Sequence, residues 1–156
     1  LKVADYLPKP VDAVELKRVL ELYDKTRRTM QALVIDDSAT VRGLIRKVLG
    51  SSVFHFDVKD ASCGLSGFEV FAGSDFDLVV VDINMPGVDG RRTSKLLKAR
   101  KPLSRIILTS SSQKDLDTAR VDGARFDVTL KKPFSAADMD DAIRRAFGLK
   151  TPFELV

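Results

Sequence analysis

Short apolar runs punctuate this chain at regular intervals. Ala32–Ile35, Phe76–Val81, the Ile106-Ile107-Leu108 part of Arg105–Leu108, and Val128-Thr129-Leu130 within Asp127–Leu130 read as strands buried on both faces of a parallel sheet. Val53–Lys59 alternates instead, with Phe54, Phe56 and Val58 against His55, Asp57 and Lys59, which predicts an edge strand with one polar face and an exposed His55. Between the strands the period changes. Val41, Leu44, Ile45, Val48 and Leu49 fall on one helical face, with Ser38 placed to cap that helix and Gly50 to stop it. Further helices are predicted over Leu65–Ala72, Arg91–Ala99, Lys114–Asp122 and Ser135–Phe147, with a loop at Gly87–Gly90.

Strict alternation of strand and helix implies parallel pairing through right-handed crossovers. The architecture expected is α/β: a doubly wound, five-stranded parallel sheet in the order 2-1-3-4-5, a three-layer sandwich of flavodoxin-like type. In such a sheet, groups at the carboxyl ends of the strands meet in one crevice. Here those ends carry Asp36 and Asp37, Asp82, Thr109 and Lys132. Three carboxylates, a hydroxyl and an ammonium in one place suit a divalent metal and a phosphoryl group.

Residues 1–29 fall outside that count. Aligning residue n with n+123 sets Leu7-Pro8-Lys9-Pro10-Val11-Asp12-Ala13 against Leu130-Lys131-Lys132-Pro133-Phe134-Ser135-Ala136. Asp12 and Ser135 both stand at an N-cap, each followed three residues later by an acid, Glu15 or Asp138, as in a capping box. Leu16, Leu20 and Tyr23 then form an apolar face, as Met139 and Ile143 do later. The head therefore reads as the last strand and helix of a second, similar domain, as if the chain were a piece of a longer tandem polypeptide. The domain organisation expected is 1–29 as that partial copy, 30–150 as a complete domain and 151–156 as a tail or linker.

Composition narrows the class. With 44% hydrophobic and 31% charged residues the chain is ordinary for a globular protein. No apolar stretch approaches the roughly 20 residues of a membrane helix. One cysteine, Cys63, cannot form an internal disulfide, and it is expected to serve packing in a reducing, cytoplasmic setting. The charge of +4 comes from basic pairs interleaved with acids, which fits a solvated surface and not a nucleic-acid footprint.

Asp36-Asp37-Ser38, the stretch Asp82-Ile83-Asn84-Met85-Pro86-Gly87-Val88-Asp89-Gly90, Thr109 and Lys132-Pro133-Phe134 occur in this order on successive elements. Together they resemble the receiver domain of two-component response regulators, of the chemotaxis-regulator kind, over about Gln31–Leu149. The resemblance implies Asp82 as the phosphoacceptor, with Thr109 and Lys132 assisting. It implies Mg²⁺ held by Asp36, Asp37, Asp82 and the backbone carbonyl of Asn84, and a cis peptide before Pro133. The implied partners are a sensor histidine kinase or phosphotransfer protein and a downstream protein target, with no membrane or nucleic acid. One position departs: such domains carry Tyr or Phe three residues before the lysine, where this chain has Thr129 and the N-terminal copy has Tyr6. Phosphorylation is expected to survive that change, with an atypical readout.

Two other functions compete with this reading. A Mg²⁺-dependent phosphohydrolase of haloacid-dehalogenase type would place a second acid two residues after the nucleophile, where this chain has Asn84. A scaffold or homodimer that is never phosphorylated would be expected to lack one of the five crevice residues, and all five are present. The chain is thus expected to modify itself without being a turnover enzyme.

Overall fold

The computed structural model describes residues 12–149. After a helix α1 (Ala13–Arg27), strands β1 (Met30–Ile35), β2 (Phe56–Ala61), β3 (Leu78–Asp82), β4 (Arg105–Ser110) and β5 (Val128–Lys131) alternate with α2 (Ala39–Gly50), α3 (Gly64–Ala72), α4 (Gly90–Arg100), α5 (Gln113–Thr118) and α6 (Ala136–Ala146). The five strands are parallel, as the alternation predicts, and lie in the order β2-β1-β3-β4-β5 expected of a flavodoxin-like sheet. Leu7–Val11 and Tyr6 of the N-terminal copy, the Glu15 side chain and the tail from Lys150 lie outside the described residues.

The sheet separates two cores. On one side Ala32, Val34, Leu78, Val80 and Ile107 meet Ile45 and Leu49 of α2 and Met139 and Ile143 of α6. On the other, Leu33, Ile35, Val79, Val81 and Leu108 meet Phe71 of α3, Leu97 of α4 and Leu116 of α5. Strand side chains alternate between the faces, so every second residue returns to the same side. Continuing that count past the apolar segments puts Asp36, Asp82, Thr109 and Lys132 all on the α2/α6 side. Four residues scattered along the sequence are thereby aimed at one place.

Element ends differ from the pattern where side chains outside the strands contribute to packing. The edge strand begins at Phe56 and not Val53. Phe54 is buried below the sheet's end, with its backbone N–H on Ser52 Oγ and the Arg144 guanidinium over its ring. Gly50 does not stop α2; Ser51 closes that helix by donating its N–H to the Lys47 and Val48 carbonyls, so no left-handed glycine is used. The fifth helix is shorter than expected, because Ala119 turns inward to the core and Gly123, at φ 90°, reverses the chain. Cys63 does more than pack: its thiol caps α3 by accepting the Ser66 N–H at 3.4 Å, and its hydrogen bond with the Ser66 side chain, assisted by that backbone contact, holds its pKa below the usual thiol value. His55 is exposed, as expected, and Ser38 and Ser135 cap α2 and α6.

One close approach fixes the loop beside β3. A Cβ at Gly90 would collide with the backbone carbonyl of Asp82, so α4 can start against β3 only with glycine there. Gly90→Ala is expected to destabilise the fold by about 1–3 kcal/mol; a urea melt matching that of the unchanged protein would contradict this.

Candidate functional site

The site is built at the rim of the sheet. β1 and β3 are neighbours, and the chain leaves them in opposite directions across the sheet, at the switch point where open α/β sheets bind ligands. Asp36 follows β1 and Asp82 ends β3, and both are nearly inaccessible, with 1% and 5% of their surfaces exposed. Such carboxylates need partners. Lys132, following β5, provides one: its Nζ donates to Asp36 Oδ2 at 2.7 Å and to Asp82 Oδ1 at 3.1 Å. The Lys132–Pro133 peptide is cis.

Asp36 is held on every side. Its Oδ1 accepts the Ser38 N–H at 2.9 Å, its own N–H donates to the Ala61 carbonyl, and its carbonyl oxygen accepts from Arg42 Nη1 at 2.7 Å. Asp37, next in the chain, is exposed. Carboxylate oxygens of Asp36, Asp37 and Asp82 lie within 4.8 Å of one another. Two anchored acids and one reachable by solvent, all hard oxygen donors, fit Mg²⁺, which takes one or two carboxylates and keeps several waters. The structure thus brings Asp36, Asp37, Asp82 and Lys132 together.

Thr109 and Asn84 are less simply placed. Thr109 pairs with Asp82 in the register of β3 and β4, yet it is fully buried and its hydroxyl donates to the Val81 carbonyl at 3.4 Å. Asn84 is exposed, and its side-chain amide donates to Ser110 Oγ at 2.9 Å. Ser110 and Arg42 were not singled out by the motifs. The signal for Arg42 was present, since helical side chains lean toward the N-terminus and Arg42 stands four residues after the α2 cap. Ser110 had no such signal among three consecutive serines.

Electrostatics follow from burial. Loss of water pushes the Asp82 carboxyl above the usual aspartate range, against the pull of Lys132. Burial also disfavours the Lys132 ammonium, but its hydrogen bond to Asp36 and the Asp82 charge outweigh that, and it stays protonated past the ordinary lysine value. One cation serves two buried acids, so Asp82 remains incompletely compensated.

A doubly wound parallel sheet with an acidic, lysine-bridged cleft at its switch point is an open α/β domain of the class that binds ligands at the carboxyl ends of its strands. Residues 32–144 match the response regulator receiver domain, and the chain belongs to that family. It is similar to chemotaxis protein CheY-3 of Vibrio cholerae, 27% identical over 122 residues that span 77% of this chain and 93% of that protein. It is 32% identical over 116 residues to the nitrate/nitrite response regulator NarL of Escherichia coli, covering 73% of this chain and 53% of that one. Among solved structures, a response regulator receiver domain protein from Clostridium thermocellum superposes with a TM-score of 0.66 at 28% identity, covering 76% of this chain and 94% of that one. The receiver domain of the Pseudomonas aeruginosa sensor histidine kinase PA1611, solved with magnesium coordinated in its active-site cleft, gives 0.68 at 20% identity over 78% of this chain and 99% of that one.

The raised Asp82 pKa has a sign that can be tested without metal. The folded state holds the Asp82 proton more tightly than the unfolded chain, so stability falls as pH rises through the interval above the ordinary aspartate value of 3.8. Asp82→Asn is therefore expected to stabilise the protein in EDTA at about pH 7, by on the order of 1 kcal/mol. The gain should fade in acid, near the ordinary aspartate range. Urea melts at the two pH values check this, and a less stable variant at neutral pH would refute it.

Proposed function

We propose that this chain is a phosphoacceptor switch of a two-component phosphorelay, with Asp82 as the residue modified. The observation that supports this best is the Lys132 ammonium bonded at once to Asp36 and Asp82, with an Asp37 oxygen within 4.8 Å of both acids. The donor is a phosphohistidine of a sensor kinase or phosphotransfer protein. An Asp82 carboxylate oxygen attacks phosphorus in line as the phosphorus–nitrogen bond breaks; the electron pair leaves with the imidazole, and an acyl phosphate remains on Asp82. Asp37 and Asp82 would hold Mg²⁺ directly, Asp36 through a water and Asn84 by its backbone carbonyl, and the ion supplies charge neutralisation at the phosphoryl oxygens. Lys132 orients the attacking carboxylate beforehand and meets the new charge afterwards. Thr109 reaches the phosphoryl group by turning its hydroxyl away from Val81, and that turn is the conformational signal.

In this reading the domain modifies itself and regulates a downstream protein, in the cytoplasm, without turning over an external substrate. Among the described residues no helix is long and apolar enough to cross a membrane. We also infer that α1 is the counterpart of α6 from a second receiver-like unit, residues 1–29, ahead of the complete domain at 30–150. Leu16, Leu20 and Tyr23 are exposed on α1, whereas their counterparts Met139, Ile143 and Ala146 in α6 are buried.

Acetyl phosphate with Mg²⁺ tests the main reading. One adduct is expected, on Asp82, stable in acid and labile in base, and lost both in Asp82→Asn and in EDTA. Peptide mapping that finds the group on another residue would overturn the assignment, and no adduct at all would favour a scaffold or homodimer. Steady turnover of a generic phosphate ester would favour a hydrolase.

A further inference from the structure

Arg42 sits where helix electrostatics alone would not put it. It lies four residues after the Ser38 cap of α2, and its side chain leans back over a helix N-terminus that favours anions. The first turn of that helix has no acid to offset it. Its side chain is only 17% exposed, a costly placement for a charged group that needs good partners. Two are provided. Nη1 donates to the Asp36 carbonyl oxygen at 2.7 Å, and Nε donates to Asp60 Oδ2 at 2.9 Å near the end of the edge strand β2. Asp60 is itself held by Arg46, whose other guanidinium nitrogen fastens to the Val58 carbonyl at 2.7 Å.

These contacts form a brace from α2 and β2 to the peptide that joins the two acids. Asp36 has its carboxylate fixed by Ser38 and Lys132 and its N–H fixed by Ala61. The Arg42 bond to its carbonyl sets the remaining freedom, the rotation of the Asp36–Asp37 peptide plane. Asp37 is exposed, so the direction of its backbone decides where its carboxylate can reach.

We propose that Arg42, anchored by Asp60, is a positioning residue for the divalent cation: it holds the Asp36–Asp37 peptide so that Asp37 faces Asp82. This rests on the phosphoacceptor reading above and deepens it. The idea has a sign that separates it from simple electrostatics. Removing a positive charge near three carboxylates should tighten cation binding by Coulomb attraction alone. Removing a brace should weaken it, by about tenfold on the scale of outer-sphere partners of metal ligands. A lysine could reach one of the two partners but not both, because it lacks the planar fork.

The experiment is a calorimetric Mg²⁺ titration of the full chain and of Arg42→Ala, Arg42→Lys and Asp60→Asn, together with amide hydrogen exchange of Ser38 in metal-free buffer. Expected are about tenfold weaker Mg²⁺ binding in R42A, an intermediate loss in R42K and in D60N, and a double variant R42A/D60N no weaker than R42A. The Ser38 amide, which bonds Asp36, should exchange faster in R42A before any metal is added. Equal or tighter Mg²⁺ binding by R42A, with the unchanged protein binding normally, would overturn the positioning role and leave the phosphoacceptor reading intact. Absence of Mg²⁺ binding by the unchanged protein would overturn both. If R42A fails to fold, R42K and D60N decide: unchanged Mg²⁺ affinity in both refutes the proposal.

Discussion

Everything at the rim of this sheet is arranged around one ammonium group shared by two buried carboxylates. Lys132 is 96 residues from Asp36 and 50 from Asp82, and it reaches both at hydrogen-bonding distance. Breaking a buried pair by removing one partner is far more costly than replacing the whole of it, because the remaining charge is stranded. The bridge therefore constrains three strand ends at once: β1, β3 and β5 must keep their relative heights for the lysine to stay satisfied. It also explains why the fold tolerates an acidic cluster. The three acids outnumber the one cation, and Asp37 is exposed at the opening where a divalent cation can be received.

Much of this was legible in the sequence because of the way parallel strands are buried. A strand covered on both faces must be apolar throughout, so the residue at which the run ends is conspicuous, and Asp36 and Asp82 are such residues. Strand β5, expected to be buried on both faces, is instead a partly exposed edge strand, and Lys132 stands just past its last residue, Lys131. Parallel pairing followed from alternation and chirality, while the order 2-1-3-4-5 is one of the two common doubly wound orders these allow. What could not be read were features fixed by contacts across the fold. The edge strand was placed three residues early because Phe54 looks like a strand residue but packs under the sheet. The thiol of Cys63 looked like packing material, although its neighbour Ser66 makes it a helix cap. Arg42 and Asp60 lie 18 residues apart on different elements, and nothing local pairs them. Ser110 was hidden among equivalent serines.

Thr109 illustrates the limit differently. The pattern assigned it to the rim beside Asp82, and register agrees, since the two residues are direct partners across β3 and β4. Position along a strand does not determine what a hydroxyl bonds. With the Val81 carbonyl within 3.4 Å and water excluded, that bond satisfies an otherwise orphaned group. An ionised acceptor at Asp82 would draw the hydroxyl more strongly than a neutral carbonyl does, and a weak bond at that distance is readily exchanged.

The contacts that tie the α4 start to α5 are ionic rather than aromatic. At Thr129 there is no aromatic side chain to swing inward, and Phe126 is partly buried against the core on the other side of the sheet, with the Arg120 guanidinium 4.2 Å from its ring centroid. The firm connections between the rim and α5 lie on the other side of the sheet. Gly90 packs against the backbone of Asp82, and the next residue, Arg91, pairs with Asp115 on α5 at 3.3 Å, with Asp122 in the turn beyond it at 3.4 Å, and with Asp89 at 3.7 Å. Any shift of the Asp82 loop must move the start of α4, because no slack exists at Gly90. Arg91 is attached to that start and holds α5 by ionic contacts that are long and partly solvated, hence individually weak. A rigid joint at one end and compliant ones at the other let α5 follow, or release, without disturbing the two cores. In this chain the contact that fixes the Asp82 loop and the contacts that hold α5 therefore meet in two consecutive residues, Gly90 and Arg91.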